Sequence, residues 1–262
     1  MSMSNPEISV VVPCHNEQDN LPILVEAVAA VLDPLGRGYE IVITDDCSTD
    51  GSWEVLKQLA GANSLVRVQR FAGNCGESAA SWAGIRASRG AIVVTMDADL
   101  QNDPKDLPAL LDALQEADCA CGTRVDSRAQ GDHFIRIASS LIANWVRNRL
   151  SGEQISDAGC TYRAFRRECA ENCKYFKGMH RFLPTLFKIE GYRVKEVPVT
   201  NNPRLHGSAH YGVWNRLFAS FYDLLAVRWM KVRMVPYRIQ DRVNMVQDAA
   251  TSGAPAETRE AS

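Results

Sequence analysis

The chain has 262 residues, 46% of them hydrophobic and 23% charged, with a formal net charge of −2. That length suits a single α/β domain, and the near-neutral balance gives no global basis for nucleic-acid binding. Residues 1–7 carry no leader-like pattern, and no uncharged apolar run approaches the ~18 residues that cross a bilayer. The chain is therefore expected in the cytoplasm, free or lying on a membrane face. Its cysteines, at 14, 47, 75, 119, 121, 160, 169 and 173, form no CxxC pair and read as reduced thiols. Cys169 and Cys173 could share a helix face, but no second ligand pair completes a zinc site.

Residues 8–13 are apolar and β-branched, as in a buried strand. Residues 20–32 place Leu21, Leu24, Val25, Val28 and Leu32 at helical spacing. Residues 39–44 predict a second strand, 52–59 a short helix, 65–68 a third strand and 77–87 a helix of small residues. Residues 91–96 predict a fourth strand, 104–115 a helix and 117–121 a fifth strand. Strands alternating with helices predict a mostly parallel sheet flanked by helices, a Rossmann-like α/β arrangement. Beyond Arg124 the rhythm changes. Residues 132–150, 164–175 and 182–190 read as helical, 192–199 as a strand, 201–212 as a polar loop and 213–234 as an amphipathic helix. Residues 240–262, rich in Ala, Ser, Thr, Gly, Pro and Glu, are expected to stay disordered.

The chemistry gathers at strand ends. The fourth strand runs straight into Asp97, Ala98, Asp99, Leu100 and Gln101. The carboxyl end of such strands is where ligands of open sheets bind. In an extended turn Asp97, Asp99 and Gln101 can offer three hard oxygen ligands on one side, which suits Mg²⁺ or Mn²⁺ shared with a phosphate. The first strand ends in Pro13, Cys14, His15, Asn16 and Glu17, the second in Asp45, Asp46, Cys47, Ser48, Thr49, Asp50 and Gly51. Asp45 or Asp46 there is positioned to bond a base or ribose, whereas Asp50-Gly51 reads as a turn and helix cap. No GxGxxG follows the first strand, which disfavours a dinucleotide site.

These motifs together resemble the family 2 glycosyltransferases. They are Pro13-x-x-Asn16-Glu17, Asp45-Asp46-x-Ser48-x-Asp50-Gly51, Gly73-Asn74-x-Gly76 and Met96-Asp97-Ala98-Asp99-Leu100-Gln101-x-x-Pro104. Within that family they look like the dolichyl- or polyprenyl-phosphate sugar transferases, dolichol-phosphate mannose synthase being the type. The resemblance implies a GT-A fold over residues 1–235, with a nucleotide-sugar part at about 7–124 and an acceptor and membrane-facing part at about 125–235. It implies inverting, metal-dependent sugar transfer to a lipid phosphate by a protein peripheral to the cytosolic membrane face. Pro13, His15, Asn16, Glu17, Asp45, Asp46, Asp97 and Ala98 would bind the nucleotide-sugar. Asp97, Asp99 and Gln101 would hold the metal. Arg124, Arg136, Arg204 and His210 would meet the acceptor phosphate, and Asp99, Arg124 and Arg204 would be catalytic.

This chain departs from the family pattern at His15, where Tyr is common, at Thr161, where the pattern has Gly, and at Ala209 and His210, where it has Ser and Lys. GDP-mannose leads as donor on resemblance, ahead of UDP-glucose or another UDP-sugar. A phosphate-free acceptor and a non-catalytic nucleotide-sugar-binding role are the alternatives. Trp214, Leu217, Phe218, Phe221 and Leu225, followed by Arg228, Lys231, Arg233 and Arg238, suit an interfacial helix on an anionic leaflet. A second stripe, Phe134, Ile137, Leu141 and Trp145, is similar.

Overall fold

The computed structural model describes residues 5–124, 156, 157, 159–203 and 213–235. The expected helix at 132–150, Arg136, Arg204, His210 and the tail at 240–262 lie outside these.

Strand β1 (Ile8–Cys14) pairs in parallel with β2 (Tyr39–Asp45) and with β4 (Ile92–Thr95), and β2 pairs in parallel with β3 (Val66–Arg70). Neighbouring residues of these strands face opposite layers. Val10, Val12, Ile41, Ile43 and Val94 meet α1 (Leu21–Leu32), α2 (Ser52–Ala62) and α4 (Leu107–Ala113) through Leu21, Leu24, Leu56, Leu107 and Leu110. Val11, Val42 and Val93 belong to a second core with Ile85 of α3 (Glu77–Ala87), Leu183, Leu186 and Phe187 of α5 (Leu183–Ile189), and Leu224 and Val227 of α6 (Val213–Arg233). With both faces covered, the strands read as continuous apolar runs rather than alternating ones. Helix α3 lies close on the sheet because Gly84 has no Cβ to strike Val11.

The sheet has seven strands in the order β3-β2-β1-β4-β6-β5-β7, with β5 at Cys119–Thr123, β6 at Arg163–Arg166 and β7 at Val194–Pro198. Strand β6 corrects the sequence reading, which made residues 164–175 helical. It runs antiparallel to both β4 and β5, and a 3₁₀ turn at Arg167–Ala170 follows. Alternating Arg, Ala, Phe and Arg have no strong β preference, yet Ala164 and Phe165 are fully buried between two strands, and packing outweighs propensity. Phe165 also packs against Phe187 in a tilted pair with ring centroids 4.9 Å apart. The helix expected at 104–115 is a 3₁₀ turn at Pro104–Asp106, capped by Asp103, leading into the shorter α4. The other predicted strands and helices of the described residues form with boundaries shifted by a few residues.

The antiparallel course of β6 has a positional effect. Its amino end sits where β4 and β5 finish, so residues 159–163 enter the edge to which Asp97 and Arg124 are carried.

Candidate active site at the carboxyl edge of the sheet

Three loops leave this edge, after β1, β2 and β4, and each holds one non-glycine residue in the left-handed region: Asn16 (φ 58°), Cys47 (φ 57°) and Leu100 (φ 61°). Among the described residues these are the only such cases. Each costs on the order of 1–2 kcal/mol, least for Asn. Strain of this kind, confined to one edge, marks a site, and nothing in the local sequence announces it.

The first two loops are fastened to each other. Asn16 Oδ1 accepts from Thr49 N at 2.8 Å and Asp50 N at 3.3 Å, and Asn16 N donates to Ser48 Oγ at 2.9 Å. Glu17 N donates to Ser52 Oγ, and the Glu17 carboxylate accepts from Asn20 Nδ2 at 2.6 Å. Asp45, fully buried, accepts from Ser48 N and Oγ and pairs with Arg70 Nε at 3.0 Å. Arg70 in turn donates to Ser48 O and lies over the Trp53 ring, 5.6 Å from its centroid. Asp46, 3% exposed, accepts from Cys75 N at 2.6 Å and Gly76 N at 2.8 Å. These two carboxylates, expected to grip a base or ribose, are engaged by the protein itself. Asp45 steadies Ser48 and Arg70, and Asp46 fixes the Gly73–Gly76 turn at the start of α3. Gly76 (φ 88°) supplies a backbone form that other residues avoid.

His15 is exposed above this floor. Its Nδ1 donates to Asp46 O at 2.9 Å, and Asn74 Nδ2 also reaches that carbonyl at 3.3 Å. The Asp46 carbonyl only accepts, so this contact places a proton on Nδ1; Nε2 lies 3.4 Å from Asn16 Nδ2. Pro13 is half-buried behind it.

The third loop carries the carboxylates. Asp97 N donates to Asn102 Oδ1 at 3.0 Å, and Asp97 Oδ2 accepts from Thr161 Oγ1 at 2.6 Å. Asp99 Oδ1 accepts from Gln101 N at 3.2 Å, closing the turn in which Leu100 takes its left-handed form. Ala98 and Asp99 are buried, and Gln101 is half-buried. Burial pushes the Asp97 carboxyl up; the Thr161 hydroxyl opposes this, and the Asp99 charge adds to it. Two carboxylates crowded at a strand end, one disfavoured as an anion, are the arrangement a divalent cation relieves. Among the described residues no cluster of three or more His, Cys, Asp or Glu is placed to hold a metal. A cation held at Asp97 and Asp99, with the Gln101 amide as a third oxygen, would take its remaining oxygens from a diphosphate or water.

Two arginines lie beside the pair. Arg124, at the end of β5, meets Asp157 twice, Nε to Oδ2 at 2.7 Å and Nη2 to Oδ1 at 3.2 Å, with side chains 15% and 2% exposed. Burial works against its charge, but Asp157 outweighs that and raises its pKa. Arg163, 1% exposed, donates to the carbonyls of Cys160 and His180, and among the described residues its Nε has no hydrogen-bond partner. Arg163, Thr161, Asp97, Pro13 and His180 line one small cavity. Sequence reading did not single out Asn102, Thr161 or Arg163 for these contacts. Thr161 stood out only as a departure from a pattern, and Asn102 had no signal because its role depends on the turn's shape.

A family model described as glycosyl transferase family 2 matches residues 9–173. Dodecaprenyl-phosphate galacturonate synthase of Rhizobium johnstonii is 36% identical over 226 residues, covering 84% of this chain and 66% of that protein. Undecaprenyl-phosphate 4-deoxy-4-formamido-L-arabinose transferase of Edwardsiella ictaluri is 37% identical, covering 83% and 66%. The chain thus spans just under two thirds of the length of these relatives. Among solved structures, glucosyl-3-phosphoglycerate synthase of Mycobacterium tuberculosis with Mn²⁺, UDP and phosphoglyceric acid superposes with a TM-score of 0.63 at 19% identity, covering 88% of this chain and 80% of that one. A mannosyltransferase of Pyrobaculum calidifontis with GDP-Man and Mn²⁺ gives 0.57 at 17%, covering 88% and 75%. At these identities the likeness carries the fold alone, and the fold is the GT-A arrangement expected from the sequence.

Proposed function

Because the chain belongs to the family 2 glycosyl transferases, we propose that it transfers a sugar from a nucleotide-sugar to a polyprenyl phosphate at a membrane face, with Mg²⁺ or Mn²⁺. The observation that carries this reading is the Asp97–Asp99 pair at the end of β4, with Asp97 held by Asn102 and Thr161 and Asp99 by Gln101 N. The acceptor class rests on the relatives, which are named for dodecaprenyl and undecaprenyl phosphates. Their sugars are galacturonate and 4-deoxy-4-formamido-L-arabinose, so mannose loses the lead that resemblance alone gave it. We place a UDP-linked sugar ahead of GDP-mannose.

The chemistry asks little of a general base. A phosphate monoester, with a second pKa of about 6, is already largely dianionic at neutral pH. The protein's task is to bring two anions together and stabilise the leaving diphosphate. The cation supplies charge neutralisation at that diphosphate when bound. Asp97, Asp99 and Gln101 would hold it, and the loops tied by Asn16, Asp45 and Asp46 would seat the nucleotide, with Glu17 and Ala98 beside it and His15 against the base. Arg124 would contribute a planar guanidinium to the acceptor phosphate, joined by Arg136, Arg204 and His210.

Membrane contact falls to α6. Phe221, Leu225, Trp229 and Val232 recur at i, i+4, i+8 and i+11 and form one exposed stripe with Tyr222, while Leu224 and Val227 are buried on the other side. Trp229 is 63% and Tyr222 76% exposed. With Arg228, Lys231 and Arg233 alongside, the stripe suits the headgroup region of an anionic leaflet. No helix of the described residues is long and apolar enough to cross a membrane.

The test is to incubate the protein with Mn²⁺ or Mg²⁺, labelled UDP- and GDP-sugars, and undecaprenyl phosphate in anionic vesicles, then count label in the lipid phase. Cation-dependent transfer from a UDP-sugar is expected. Transfer from GDP-mannose alone would restore the mannose reading, and nucleotide binding without lipid product from any donor would overturn the acceptor class.

A further inference from the structure

Asp157 and residues 159–163 touch both sides of the site. Asp157 clamps Arg124, and four residues later the Thr161 hydroxyl donates to Asp97 Oδ2 at 2.6 Å. The segment does not drift. Thr95 Oγ1 donates to Thr161 O at 2.7 Å, and Arg163 holds Cys160 O, so the Thr161 backbone is fixed on both sides of its hydroxyl. Asp97 is fixed from its own side by Asn102. Among the described residues, Asp97 Oδ1 carries no hydrogen bond.

We infer that Thr161 is a positioning residue: by occupying Oδ2 it sets the rotation of the Asp97 carboxylate and reserves Oδ1 for the cation–nucleotide complex. The inference rests on the cation reading of the Asp97–Asp99 pair. A carboxylate free to rotate beside the Asp99 charge would sample geometries that bind no cation. A hydroxyl donor at hydrogen-bond distance removes that freedom.

The experiment measures Mn²⁺ binding by electron paramagnetic resonance, with UDP present, on the full chain and on its Thr161→Val and Thr161→Ser variants. Valine keeps the volume and removes the hydroxyl, and serine keeps the hydroxyl. Thr161→Val is expected to weaken Mn²⁺ by about 10–100-fold, with Thr161→Ser close to the parent. In turnover, the apparent KM for Mn²⁺ should rise in the valine variant while kcat at saturating Mn²⁺ changes little. Equal Mn²⁺ affinity in parent and valine variant would overturn the inference and leave the cation site standing, and so would a valine variant that only melts earlier. A parent that binds no Mn²⁺ with UDP would overturn the cation reading itself.

Discussion

Asp45 and Asp46 end β2, and Asp97 and Asp99 follow β4, so two aspartate pairs leave the same edge of one sheet. The first pair is engaged from within: Ser48 bonds Asp45 Oδ1, Arg70 pairs with its Oδ2 by charge alone, and two backbone N–H groups hold Asp46. In the second pair the Asp97 carboxyl is pushed up by burial and by its neighbour's charge, and Thr161 is its one side-chain donor among the described residues. Two carboxylate pairs at one sheet edge thus have different surroundings. What differs between the pairs is the charge nearby: the Arg70 guanidinium faces Asp45, whereas the Asp99 carboxylate adds to the upward push on Asp97.

The sharpest division would come from Asp99→Asn. Sugar transfer should fall by about 10²–10³-fold or more, with Mn²⁺ binding lost and the melting temperature held. Retained turnover at parental Mn²⁺ dependence would show that the β4 pair is not the cation site. Next, Asp45→Asn should lower unfolding free energy by about 2 kcal/mol in a denaturant titration, because a fully buried partner of Arg70 loses its charge. The figure lies below that for a wholly buried pair since Arg70 is 36% exposed. An unchanged midpoint would erase the contrast between the pairs.

Asn102→Ala should cost about 1 kcal/mol and raise the Mn²⁺ requirement, as the Asp97 backbone loses its partner. An effect of similar size and opposite sign is expected for Asp97→Asn. The folded carboxyl sits above its ordinary 3.8, so the apo protein loses stability as pH rises from there through the folded value. Removing the charge should raise apo stability at neutral pH by about 1 kcal/mol and flatten that limb of the pH profile. Destabilisation in the apo state would mean that Asp97, like Asp45, is built into the fold.

The sheet's parallel half was legible because burial on both faces leaves continuous apolar runs, and the strand ends broke those runs with acids. Strand β6 was not, since Arg163-Ala164-Phe165-Arg166 becomes a strand only when β4 and β5 close around it. The Asp97–Asp99 pair was readable as a short motif. The internal roles of Asp45 and Asp46 were not, because their partners Arg70, Cys75 and Gly76 lie 25 to 30 residues away and meet them only in the folded chain. The left-handed backbone at Leu100 likewise belongs to the turn as a whole, and nothing about leucine foretells it.

All eight cysteines are free thiols, and Cys75 alone among them is exposed, Cys47 and Cys173 being half-buried. Its backbone N–H is tied to Asp46, so its sulfur sits on a fixed post at the rim of the proposed nucleotide pocket. A single maleimide dye added under mild conditions would settle there first and change its emission as a donor entered. The same geometry makes this thiol the first to suffer when the protein is stored without reductant, so loss of nucleotide affinity on ageing would be reversed by dithiothreitol before any loss of fold is seen.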